Sequence, residues 1–198
     1  MTKKEAILTQ KNSIELINDT GLINITVGES IKLEYQKISW REWCLLHHRE
    51  EADKIIIEVE NTSFTGESGC DLTWNLQVTK ESTLKLTQKA GKIVGVGNIK
   101  SLTTTLAAGT VAWSKGEMPV QINVAAGSVK LTDMNWTSEG SSKVALSTGN
   151  VEITSPKEAQ VTTKISNSVG IKKNDFTEQG KKHTLVIQVA FGQVRHTF

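Results

Sequence analysis

Thr104–Ser114 reads TTLAAGTVAWS, Ile122–Thr132 reads INVAAGSVKLT and Val144–Thr154 reads VALSTGNVEIT. The three segments align on Gly109, Gly127 and Gly149, and the alignment extends outward in both directions. LTQKAGKIVGV supplies Gly91 upstream, and IQVAFGQVRHT supplies Gly192 downstream. Between the last two, ISNSVGIKK joins the series when Asn167 stands in for the glycine. Asn is the side chain that best tolerates the left-handed backbone that glycine normally provides. The steps between anchors are then 18, 18, 22, 18 and 25 residues. An 18-residue unit with insertions is internal self-similarity, which must be read before anything else.

Apolar residues alternate on both sides of each anchor. Two positions after it stand Ile93, Val111, Val129, Val151, Val169 and Val194; four after it stand Trp113, Leu131, Ile153 and Ile171. Three before it come Leu106, Val124, Leu146 and Val189, and five before it Ile122, Val144 and Ile187. Period-two alternation on either side of a glycine predicts two short strands meeting at a bend, each with one face inward. The pairs Ala107–Ala108 and Ala125–Ala126 suit a corner where backbones approach closely.

Two folds can use such a unit. Each glycine could head a hairpin in an antiparallel sandwich, or each unit could be one rung of a β-solenoid. A sandwich does not require the same residue type at the same place in successive units, whereas stacked rungs do. The column of Val and Ile therefore favours the solenoid. Before it, Gly21 with Leu16, Ile23 and Ile25 repeats the offsets more loosely, and strands are expected over 30–36, 54–60 and 71–79. These predict an N-terminal strand cap over residues 1–80, ahead of the glycine-anchored rungs of 81–198, in a single domain.

The elements NDTGLINITVG, CDLTWNLQV and STLKLTQKAGKIVGVGNIKSL, followed by the anchored segments, resemble the bacterial putative-adhesin family with its head-type "GIN"-like repeats. The resemblance runs from about Ser13 to Val194. It implies an all-β, right-handed parallel β-solenoid and an adhesin-like role, and it transfers no site residue.

Composition narrows the function classes. The 198 residues carry 23 Lys and Arg against 21 Asp and Glu, a net charge of +2, which is no footprint for nucleic acid. The apolar runs are strand-sized, so no transmembrane segment is expected. MTKKEAILTQ has no apolar core after its lysines, so no signal peptide is read and the chain as given is expected to be cytoplasmic.

The stretch SWREWCLLHHREEADK (Ser39–Lys54) breaks the β pattern. Ser39 with Glu42 resembles a capping box, and Trp40, Trp43, Cys44 and His47 share one helical face, so one short helix is predicted. Trp40 and Trp43 become the candidate ligand-binding pair, with core packing as the competing role. Cys44 and Cys70 match no metal spacing; buried free thiols are expected, with a disulfide as the alternative in an exported protein. His47 and His48 show no metal-binding spacing, and His183 and His196 are expected to be exposed. TGESGC (Thr65–Cys70) puts its glycine one place early for a nucleophile elbow.

Asp133, Glu139, Glu152 and Glu158 fall at different offsets and form no carboxylate pair. Polar uncharged residues do line up: Thr87, Thr105, Asn123 and Thr163 four before the anchors, and Thr110, Ser128, Asn150 and Ser168 one after. The expectation is a binding module, not an enzyme, without cofactor or metal, presenting this repetitive polar face to a protein or glycan. A carbohydrate-active enzyme with its site near Trp40 and Trp43 is the alternative. So is a homo-oligomeric assembly unit pairing through terminal strands such as 182–198.

Overall fold

The column of glycines is a column in space. In the computed structural model, which describes residues 4–63, 69–136, 139–157, 159, 161–174 and 183–197, Gly21, Gly91, Gly109, Gly127, Gly149 and Gly192 stand in register on neighbouring parallel strands. These strands are β2 (Ser13–Val27), β7 (Thr83–Val96), β8 (Ser101–Ser114), β9 (Val120–Thr132), β10 (Gly140–Thr154) and β12 (His183–Thr197). Gly127 shows why the residue is required: its φ is +143°, and a Cβ there would lie 1.8 Å from the Gly109 carbonyl oxygen. Each layer thus bends where its backbone passes close to the layer beneath.

The inward columns are buried as the alternation predicts. Ile93, Val111, Val129, Val151 and Val194 fill one row, and Leu106, Val124, Leu146 and Val189 another, all 4 % exposed or less. Burial of each such side chain contributes about 1.5–3 kcal/mol. Gly95, at the place Trp113 occupies one layer on, leaves room for that indole: a Cβ on Gly95 would meet its ring at 2.2 Å.

At the N-terminal side the layer next to β2 is made of two strands. β5 (Lys54–Asn61) pairs with the first half of β2 and β6 (Asp71–Val78) with the second half, both parallel. Beneath them the direction reverses: β3 (Lys32–Ser39) is antiparallel to β6, and β4 (Cys44–Glu50) is antiparallel to β5. β1 (Lys4–Ile7) adds antiparallel to β3. A disulfide joins Cys44, at the start of β4, to Cys70, just ahead of β6, across 5.6 Å between Cα atoms. All these strands belong to one mixed sheet.

Several expectations are corrected. Among the described residues there is no helix; Cys44–Glu50 is strand β4 because β5 offers it a complete antiparallel partner. The cysteines are not free thiols but a disulfide. The anchor of β11 (Val161–Asn174) is Gly170, paired with Gly192, and not Asn167, which pairs with Val189. Val169 and Ile171 consequently leave the inward column and are 58 % and 64 % exposed.

Nor does stacking follow chain order. β12 lies between β10 and β11, so the stretch expected at the exposed end is an interior strand. The inward residues of β12 explain its place, for Leu185, Ile187, Val189 and Val194 are buried. β11 sets polar Thr163 and Asn167 opposite Leu185 and Val189, and carries Lys164, Lys172 and Lys173. A less apolar strand with lysines is suited to the end of a stack, where it discourages further pairing.

Candidate binding groove

An open trough of about 730 Å³ crosses the stack on its outer side, just ahead of the glycine corner. Six strands, β2, β7, β8, β9, β10 and β12, each contribute three consecutive residues to it, those four, three and two places before the glycine. β5 adds Val59, and β11 adds Ser166 and Ser168. The trough exists because the residues two before the glycine are small in the central layers: Ala107, Ala125, Ser147 and Ala190.

Beside this floor runs the row four before the glycine, with Thr87, Thr105, Asn123, Ala145 and Gln188 in register. Thr163 and Ser168 do not continue the two predicted polar rows, since the shift of the β11 anchor to Gly170 moves both out of register. The two rows differ chemically. In the row after the glycine, Thr110 and Ser128 hydroxyls bond each other at 3.1 Å. Among the described residues, the side chains of Thr87, Thr105 and Asn123 have no such partner.

Charge enters the trough at one end. Asp19, 4 % exposed, is held by the Lys89 ammonium at 2.8 Å and accepts a hydrogen bond from Asn61 Nδ2 at 3.3 Å. Next to Lys89, Gln88 donates Nε2 to the Gly21 carbonyl at 2.8 Å, while its buried Oε1 has no partner among the described residues. Further along β2, Glu15 lies between Lys85 at 2.7 Å and Lys54 at 3.7 Å. The hydrogen bond from Lys85 holds its carboxyl below the usual range.

The predicted aromatic pair lies in the cap. Trp40, between β3 and β4, is half-buried, with the Lys37 ammonium 4.8 Å from its ring centre. It borders a recess of about 590 Å³ together with Leu8, Tyr35, Leu45 and His48. Trp43 is also half-buried and packs against the core, but it does not border that recess. Its indole N–H is buried without a partner among the described residues. Tyr35 at the base of the recess donates to Glu5 at 2.5 Å and leans on Trp74 at 5.1 Å between ring centres. Burial first, then the Glu5 carboxylate, pushes its hydroxyl up to about 12.

The histidines divide into two kinds. His47 and His48 are exposed neighbours on β4 and point to opposite faces, as successive strand residues do; His47 meets Glu60 at 3.4 Å. His183 and His196, expected at the surface, are buried to 1 % and 0 %. His183 stacks on Trp136 and meets Ser142 Oγ at 2.9 Å; His196 spans Ser155 and Thr163 at 3.1 and 3.0 Å. They are satisfied core groups. Among the described residues no three His, Cys, Asp or Glu side chains group as metal ligands. Most of TGESGC, residues 65–68, lies outside the described residues, as does Glu158.

The trough itself was hidden in plain composition. The Ala-Ala pairs suit corner packing in sequence, and their recurrence beside a Thr/Asn row is the signal for an open floor.

No family model and no curated protein matches the sequence. Solved structures do match the fold. A putative cell adhesion protein from Clostridium sporogenes superposes with a TM-score of 0.64 at 15 % identity, covering 100 % of this chain and 99 % of its own. A putative adhesin from Bacteroides fragilis does so with a TM-score of 0.51 at 7 % identity, covering 99 % and 96 %. The likeness is one of fold, and it agrees with the resemblance carried by the glycine-anchored segments.

Proposed function

We propose that this chain is a non-catalytic, adhesin-like binding module that takes a protein or carbohydrate on its outer face. The observation that carries the reading is the open trough, with its floor of small side chains and its row of hydroxyls and amide that have no side-chain partner among the described residues. The proteins that share the fold are described as adhesins, and that role is extended to this chain here. We further infer that residues 1–198 form one domain, with the strands of 1–80 as cap and the parallel layers wound as a right-handed β-solenoid with rungs of about 18 residues. Parallel crossovers in one sheet are right-handed in the great majority of cases, and the partners in β7–β8 and β8–β9 are offset by 18 residues, as in Gly91, Gly109 and Gly127.

The disulfide fits this role, because such bonds persist in oxidising surroundings such as the periplasm or the cell exterior. Trp40 and Trp43 are a second proposed contact, on the cap. Trp40 presents a half-buried ring beside a recess edged by exposed Leu8 and Leu45, an arrangement that can hold a sugar face or an apolar side chain.

The test is a screen of the purified chain against a glycan array and a panel of extracellular-matrix proteins. Ala125→Trp, which fills the trough, and Trp40→Ala/Trp43→Ala are screened in parallel. Specific binding weakened by either variant is the expected result. Absence of binding on both panels overturns the proposal.

A further inference from the structure

The trough has a direction, a period and a chemistry, and together they narrow its ligand. Six strands lie side by side across it at about 4.8 Å each, so the floor runs on the order of 24 Å along the stack axis. Each of these strands is paired on both sides. A peptide lying along the trough therefore finds no free backbone edge to extend, and its advance of about 3.3 Å per residue runs out of step with the layers. An acyl chain would match the alanines but would leave Thr87, Thr105 and Asn123 facing hydrocarbon, at the cost of their hydrogen bonds to water.

The charged groups lining the trough, Asp19 and Lys89, neutralise each other at 2.8 Å. Nothing there selects an anionic or cationic polymer. Instead it offers a neutral, partly apolar floor and a neutral row beside it. Four of the six strands carry a hydrogen-bonding side chain in that row, Thr87, Thr105, Asn123 and Gln188, while Ile17 and Ala145 take that place in the other two. Gln88 does not belong to that row: it stands three before the glycine, level with buried Leu106, and its amide is buried beneath the trough.

We propose that the trough binds a neutral linear polysaccharide laid along the stack axis, with about one sugar unit over each strand. This rests on the binding-module reading above. A pyranose presents an apolar C–H face and an equatorial fringe of hydroxyls, and an extended pyranose chain advances by close to the layer spacing per unit. The C–H faces lie on Ala107, Ala125 and Ala190, and the hydroxyls bond Thr87, Thr105, Asn123 and Gln188.

The experiment is calorimetric titration of the whole chain with neutral β-1,4- and β-1,3-linked gluco- and manno-oligosaccharides, from disaccharide to octasaccharide. Affinity is expected to rise with each unit and level off near the hexasaccharide. Ala125→Trp is expected to weaken binding at least tenfold, and Thr105→Ala/Asn123→Ala severalfold. All three sites are exposed, so unchanged thermal melting serves as the fold control. A flat length dependence overturns the proposal. So does binding that survives both trough variants but is lost in Trp40→Ala/Trp43→Ala, a result that leaves the binding-module reading standing. If none of these oligosaccharides binds while a charged glycan or a matrix protein does, the polysaccharide assignment falls and the broader reading again survives.

Discussion

The stack and the cap build the same bent layer by opposite means. From β7 to β12 the bend is a glycine over a glycine, with the next carbonyl where a side chain would be. In the layer of β5 and β6 the chain leaves the corner after Asn61 and returns at Asp71, and a disulfide ties the return point to β4. The cap layer still receives the close contact of Gly21, through the Leu72 carbonyl, but carries no glycine at that place itself, and there the covalent link is added. The stack is therefore held by a local rule repeated many times, the cap by a few specific links.

The sharpest way to break this contrast is one methyl group in each region. Gly127→Ala sets a Cβ 1.8 Å from the Gly109 oxygen. No flexible side chain is there to yield, so a loss above about 4 kcal/mol and failure to fold are expected. Gly69→Ala in the cap has a similar φ, +145°, but its nearest neighbour is Arg41 Cγ at 3.5 Å. Only the backbone strain of about 1–2 kcal/mol should appear. Denaturant melts of the two variants measure the difference; equal effects would mean that the crowded column does not decide stability.

Next in size is the disulfide. With Cys44 and Cys70 separated by 26 positions in the sequence, its removal is expected to cost on the order of 3 kcal/mol. The loss should fall on the cap. In Cys44→Ala/Cys70→Ala the near-ultraviolet signal of Tyr35 and Trp74 should melt before the far-ultraviolet β signal. Coincident melting would show cap and stack to be one cooperative unit.

The smallest effect is a pH dependence confined to the cap. Tyr35 has a raised pKa of about 12 when folded, against about 10 in an unfolded chain. Its contribution is fully present below pH 10 and is lost as pH rises towards 12. Tyr35→Phe should flatten the stability profile of the cap in that window and leave the profile below it unchanged.

How much of this could be read from residues alone follows the same division. The glycine column and the inward Val, Ile and Leu rows were legible because each layer repeats its neighbour's constraint. Reading failed where a partner in space overrode a local pattern. Trp40, Trp43, Cys44 and His47 do fall at helical spacing, yet β5 supplied strand hydrogen bonds to that stretch. Asn167 sat at the expected count from Gly149, but pairing with β12 selected Gly170 three residues later. His183 and His196 gave no sign of Ser142, Ser155 and Thr163, which satisfy them from other layers. Of the candidate site, the Thr87–Thr105–Asn123 row was visible, and its lack of partners was not, because that depends on what surrounds it.

The placement of β12 between β10 and β11 bears on how the chain is made. A ribosome delivers β11 first, when the edge of β10 is still open. Gly170 stands 21 residues after Gly149, close to the 22 that separate Gly127 from Gly149, so β11 can occupy that edge in register. The finished order requires β12, made later, to reach β10 first or to displace β11 from it. Synthesis order and stacking order are thus in competition at one strand edge, and the more apolar latecomer takes the inner place.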